Sequence, residues 1–116
     1  MFTNADAGRI LQRVRKDAGY TQADVAELFN YDTSVISKLE NAKMSVMFNL
    51  YMDWLKEFGR DDILALTIMG VPADTVLKVC FTEEYKEKLE HIKSQPPSPE
   101  AIERLNKLRK KYGFVD

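Results

Sequence analysis

Apolar residues recur at helical spacing along the chain, and no stretch alternates between apolar and polar positions over a convincing length. Ile10, Leu11 and Val14 share one helix face, and Gly19 suits the position just past a helix end. Thr21 is a good N-cap for a second helix. Similar apolar stripes, N-cap residues and helix-ending residues such as glycine predict the first five helices. They lie at about residues 6–17, 22–29, 33–41, 47–58 and 63–69.

A further helical region follows these five segments. The pattern predicts a helix from Asp74 to about Ser94 with a break near Thr82, and then a last helix with Ser98 as its N-cap and Pro99 as its first residue. An apolar stripe at spacings of 3, 3 and 4 lies along the last helix and consists of Ile102, Leu105, Leu108 and Tyr112.

The periodicity therefore predicts an all-α fold. Residues 1–71 are expected to form a domain, and residues 72–116 a helical C-terminal extension. The chain has 17 Lys+Arg and 18 Asp+Glu, so its net charge is −1 and any anion-binding surface must be local. No apolar run approaches the roughly 18 residues of a membrane span, and the N-terminus lacks a basic region followed by an apolar stretch. We expect a soluble, cytoplasmic protein with no membrane partner.

Cysteine and histidine each occur once, as Cys80 and His91. A disulfide framework, a zinc site and a Cys-His nucleophile pair all need more of these residues than the chain provides. Neither a carboxylate dyad nor a phosphate-binding loop is recognisable. We therefore expect no metal, no cofactor, no catalytic residues and no enzymatic activity.

Two short helices separated by a tight turn occupy residues 21–40. At about 100° per residue, one face of the second of these helices is short-chained and polar, and Ile36 and Leu39 lie opposite it. Such side chains hydrogen-bond base edges and phosphates when a helix lies in the major groove of DNA. The polar face consists of Thr33, Ser34, Ser37, Lys38 and Asn41.

Residues 8 to about 70 resemble the lambda-repressor-like, or Cro-type, helix-turn-helix family. The matching positions are Gly19-Tyr20-Thr21-Gln22, Val25-Ala26, the turn Asn30 to Asp32, Ile36-Ser37, Leu39-Glu40-Asn41 and Lys43. The resemblance implies a five-helix domain that binds double-stranded DNA, with bases contacted chiefly by Thr33, Ser34, Ser37 and Lys38. It also implies phosphate contacts from Gln22, Asn41 and Lys43.

The resemblance further implies a structural ion pair between Arg15, late in the first helix, and Glu40, at the end of the third. Two positions depart from the family pattern. Ala42 stands where glycine is usual, which predicts that the turn after the third helix is less tight or lacks a left-handed residue. Asn30 also replaces a common glycine, but asparagine tolerates the left-handed conformation.

The sequence thus indicates a DNA-binding transcriptional regulator, and specifically a repressor that binds a palindromic operator as a homodimer. The stripe Ile102, Leu105, Leu108 and Tyr112 is the preferred dimer contact, and the fifth helix, with Ile63, Leu66 and Met69, is its rival. Two alternatives stay open. One is an antitoxin-type autorepressor, and the other is a protein-interaction module that binds a protein partner through residues 73–116.

Overall fold

The computed structural model of the protein describes residues 1–96 and 98–113, and eight helices connected by short turns lie within them. The helices are α1 (Asn4–Asp17), α2 (Gln22–Phe29), α3 (Thr33–Glu40), α4 (Phe48–Glu57), α5 (Asp61–Ile68), α6 (Ala73–Val79), α7 (Glu83–Ser94) and α8 (Pro99–Lys111). The predicted all-α fold is confirmed, because residues 1–96 and 98–113 contain helices and no strand.

Helix α1 is the central packing element of the first unit, because it contacts α3, α4 and α6. Ile10 and Leu11 on α1 are fully buried, as are Ile36 on α3 and Trp54 on α4. Helix α1 begins earlier than residue 6, because Thr3 and Asp6 form a capping box in which each side chain accepts a hydrogen bond from the backbone N–H of the other.

Gly8 allows α1 to approach the end of α3 closely. A Cβ atom at this position would lie 2.6 Å from the carbonyl oxygen of Leu39 and 2.8 Å from that of Glu40. Both neighbours are backbone atoms, so any side chain at residue 8 would force the two helices apart. The glycine therefore sets the distance between α1 and the helix that carries the polar face.

The chain divides into two compact units, Met1–Tyr85 and a second unit that begins at Lys86. The sequence suggested a division after residue 71 instead. The first unit is longer because α6 packs on α1 and α5, and because Val76, Cys80 and Phe81 join its hydrophobic core. The break near Thr82 is present, between α6 and α7.

A buried polar network, which the sequence analysis did not predict, lies at the start of α5. The Arg60 guanidinium donates to both carboxylate oxygens of Asp62 at 3.1 Å, and to the carbonyl oxygen of Cys80 at 2.6 Å. It also lies 4.8 Å from the ring centroid of Phe81. Tyr85 donates its hydroxyl to Asp62 at 2.7 Å. Burial raises the pKa of Asp62, but hydrogen bonds from Arg60 and Tyr85 outweigh burial and hold the pKa below its usual value.

Candidate nucleic-acid interface

Helix α2 and the turn after it are fixed by local hydrogen bonds. The Thr21 hydroxyl accepts from the backbone N–H of Asp24 at 3.1 Å, and the Asp24 carboxylate accepts from the backbone N–H of Thr21 at 2.8 Å. The hydrogen bond that the Thr21 backbone donates to the Asp24 carboxylate is the main cause that lowers the pKa of Asp24, and the Thr21 side chain adds to this effect. The helix ends at Asn30, which is left-handed with φ 59°, so the tolerance expected of this asparagine is confirmed.

The two faces of α3 differ as the periodicity predicted. Ile36 and Leu39 are buried in the core, while the residues of the polar face are exposed, except that Ser37 is half-buried. The structure brings Thr33, Ser34, Ser37, Lys38 and Asn41 to one surface of the domain.

Part of this surface is already engaged within the protein. The side-chain amide of Asn41 donates to the carbonyl oxygen of Ser37 at 2.8 Å, so the end of α3 holds the Asn41 side chain in place. Lys43, just beyond the helix, is exposed.

The turn after α3 contains a left-handed alanine, so the expectation for Ala42 was wrong. Its φ is 58°, and the backbone N–H groups of Ala42 and Lys43 donate to the carbonyl oxygens of Leu39 at 3.4 Å and Lys38 at 2.8 Å. This hydrogen-bond pattern satisfies the last carbonyls of a helix and usually uses glycine. The need to pair those carbonyls and turn the chain towards α4 outweighs the preference of alanine for right-handed conformations, which is worth about 1–2 kcal/mol.

The expected ion pair between Arg15 and Glu40 is present and buried. Arg15 donates from Nε to Glu40 Oε2 at 2.6 Å and from Nη2 to Glu40 Oε1 at 2.9 Å. Its third nitrogen, Nη1, donates to the carbonyl oxygen of Tyr20 at 2.8 Å, next to the start of α2. One side chain of α1 therefore joins the end of α3 to the loop before α2.

Gln22 belongs to the same group, which the sequence analysis missed. Its side-chain amide donates from Nε2 to Glu40 Oε1 at 3.1 Å, so Glu40 accepts from α1 and α2 at once. The two residues are 18 positions apart, and only the crossing of α2 and α3 reveals their contact. We call Arg15, Gln22 and Glu40 the Glu40 cluster.

The comparison with protein families supports this geometry. Residues 11–61 match the family model described as helix-turn-helix. This segment belongs to the lambda-repressor-like helix-turn-helix family. The chain is accordingly a DNA-binding transcription regulator, a kind of protein that is typically not an enzyme. No curated protein and no solved structure matches the chain with significant similarity.

The loop after α3 of this helix-turn-helix domain is anchored to the first turn of α1. Asn4 accepts from the backbone N–H of Val46 at 3.2 Å and donates to the Ser45 hydroxyl at 3.4 Å. An isolated asparagine near the N-terminus gave no signal of this contact in the sequence. The anchor fixes the loop in which Lys43 lies.

Within residues 1–96 and 98–113, no helix is both long and apolar enough to cross a membrane. No group of three or more cysteine, histidine or acidic side chains in the same part of the chain is arranged to hold a metal ion.

Proposed function

We propose that the protein is a transcriptional repressor that binds a palindromic operator as a homodimer, with α3 in the major groove. The observation that carries the proposal is the polar surface of α3, which faces solvent on a helix whose opposite side is locked into the core. The proposed DNA-binding residues are Gln22, Thr33, Ser34, Ser37, Lys38, Asn41 and Lys43.

The proposed contacts follow from the reach and chemistry of each side chain. Thr33, Ser34, Ser37 and Lys38 contact base edges, since hydroxyl and ammonium groups hydrogen-bond the acceptors in the major groove. Asn41 and Lys43 contact phosphate at the end of the helix. Gln22 also contacts phosphate, and its hydrogen bond to Glu40 holds the amide in one orientation while leaving a second N–H for the DNA.

The case for a dimer rests on how little positive charge the polar face provides. Lys38 is its only cation, and most of the affinity of such proteins comes from neutralising phosphates. A palindrome read by two α3 helices about 34 Å apart doubles those contacts. We further propose that residues 1–71 bind DNA and that the dimer contact lies within residues 72–116.

We assign the dimer contact to the apolar stripe of α8. Its four side chains are 46–63% exposed, which is unusual for residues of this size at regular spacing. They are Ile102, Leu105, Leu108 and Tyr112. In the rival helix α5, Ile63 is fully buried and Leu66 packs against the core, which leaves Met69 as the exposed member of the predicted set.

Selection of bound sequences from random duplexes tests DNA recognition. With the selected operator, Lys38→Ala and Ser34→Ala should each cost about 1–3 kcal/mol of specific binding and relax the preference at particular base pairs. Gln22→Ala should weaken all sequences more evenly. Unchanged operator affinity in the Lys38 and Ser34 variants, with the fold intact by circular dichroism, would exclude α3 as the reading helix.

Two further measurements test repression and the dimer contact. A reporter gene behind the operator should be silenced by the protein, and activation of the reporter would contradict the repressor proposal. Removal of residues 95–116 should give a monomer by sedimentation. A truncated protein that stays dimeric and keeps full operator affinity would exclude α8 as the dimer contact.

The exposed α8 stripe also favours a second candidate, a module that binds another protein through residues 73–116. Salt-dependent binding to duplex DNA separates the two, since only the repressor requires it.

A further inference from the structure

A shallow groove with acidic residues on its rim lies on the outer side of α2. It has a volume of about 490 Å³ and is lined by Gly19, Tyr20, Asp24, Glu27 and Leu28. Tyr20 is 42% exposed and Leu28 is 43% exposed, so the groove offers apolar surface to solvent. We call it the α2 groove.

The α2 groove is held in shape by a ring contact and by the cap of α2. The Tyr20 ring packs edge-to-face on Phe58, with 4.9 Å between ring centroids, and the Asp24 carboxylate is fixed by the N-terminal cap of α2. Glu27 is exposed and directly precedes Leu28 on α2. The groove therefore has a formed apolar floor and a negative rim.

Helix α8 has the opposite charge pattern around its apolar stripe. At about 100° per residue, Arg104 lies just outside Leu108 at one edge of the stripe, and Arg109 lies between Ile102 and Leu105 near the other edge. The acidic residues of the helix, Glu100 and Glu103, fall on the side away from the stripe. Two α8 helices paired through their stripes would bring four arginines together, which opposes a direct contact between α8 and its copy.

We infer that α8 of one molecule docks into the α2 groove of a second copy, and that the two copies exchange this contact reciprocally. The inference rests on the proposed dimer and names the surface that α8 meets in it. Leu105 and Leu108 cover the exposed faces of Tyr20 and Leu28, and the two arginines meet the acidic rim. A reciprocal contact forms twice per dimer, so each charge pair contributes twice.

A charge exchange tests the inference on the full-length chain. Sedimentation over a range of concentrations gives the dimer dissociation constant for each variant. Glu27→Lys and Arg109→Glu should each raise it by about tenfold or more, since both place like charges at the contact. The double variant should return to within about threefold of wild type. Lys110→Glu is the matched control, because it makes the same charge change at an exposed position on the side of α8 away from the stripe and should have little effect.

Three outcomes would overturn the inference. In the first, the single variants dimerise like wild type, which removes the α2 groove from the contact but leaves the proposed function intact if operator binding is still dimeric. In the second, the double variant has a dimer dissociation constant no lower than those of the single variants, which shows that the side chains of residues 27 and 109 do not meet. In the third, the wild-type chain is a monomer at every concentration, which also removes the proposed dimer. Glu27 and Arg109 are exposed, so circular dichroism should show an intact fold in every variant.

Discussion

Removal of Glu40 should be among the most damaging single changes in the helix-turn-helix domain. Its side chain is fully buried and accepts three hydrogen bonds, two from Arg15 and one from Gln22. Glu40→Ala would leave the Arg15 guanidinium, whose side chain is only 8% exposed, without a counter-charge. Loss of one partner of a buried ion pair costs about 3–5 kcal/mol. That is a large part of the 5–15 kcal/mol that stabilises a typical domain.

Glu103→Ala is the natural control for this prediction. Glu103 pairs with Lys107 at 3.7 Å, and the two side chains are 69% and 77% exposed, so water screens the interaction. Breaking such an exposed pair costs no more than about 0.5 kcal/mol. Both variants replace a glutamate with alanine. The difference between their losses in free energy of unfolding therefore measures the effect of burial.

Urea unfolding followed by circular dichroism measures both changes. A double-mutant cycle with Arg15→Met then isolates the coupling between Arg15 and Glu40, because the double variant buries no unpaired charge. It should be more stable than Glu40→Ala alone. If Glu40→Ala unfolds at the same urea concentration as wild type, or if the cycle gives no coupling, the buried pair does not hold α1 to α3.

Three more predictions concern the backbone and pH. Ala42→Gly should stabilise the protein by about 1 kcal/mol in thermal melts, because φ is 58° there and glycine adopts this conformation without strain; a lower melting temperature would contradict it. Gly8→Ala should destabilise by about 1–3 kcal/mol in urea, since its Cβ would meet the Leu39 carbonyl oxygen at 2.6 Å; wild-type stability would show that α1 and α3 separate freely. The lowered pKa of Asp62 means that its contribution is present above the unfolded-state pKa of about 3.9 and is lost as the pH falls through the folded-state value. Asp62→Asn should therefore lose less stability than wild type between pH 5 and pH 2, and an equal loss would exclude Asp62 as a source of acid sensitivity.

Local signals in the sequence were enough to predict most helix limits. Helix α2 runs from Gln22 to Phe29 as predicted, because the Thr21 cap and Asn30 are both short-range features. Pro99 opens α8 for the same reason. The two faces of α3 follow from periodicity, since Ile36 and Leu39 must be buried on one side.

Contacts between distant segments explain what the sequence did not reveal. The bond from Gln22 to Glu40 and the network around Arg60 join residues that only meet when the helices pack. Ala42 shows the limit of local preference, because alanine gave no sign of a left-handed backbone and the chain path imposed one. The α2 groove was equally hidden, since Tyr20 and Leu28 become neighbours only at the surface of the folded domain.

The separation of the two faces of α3 has a consequence for how this regulator can evolve. Thr33, Ser34 and Lys38 are exposed, and α3 is held in place by its buried side and by Glu40. Under the proposed function, substitutions at these three positions should change which operator the protein binds and should leave the stability of the domain nearly unchanged. The proposal therefore implies that single substitutions on this surface can give new binding specificities at little cost in stability, so that the same fold could bind another promoter.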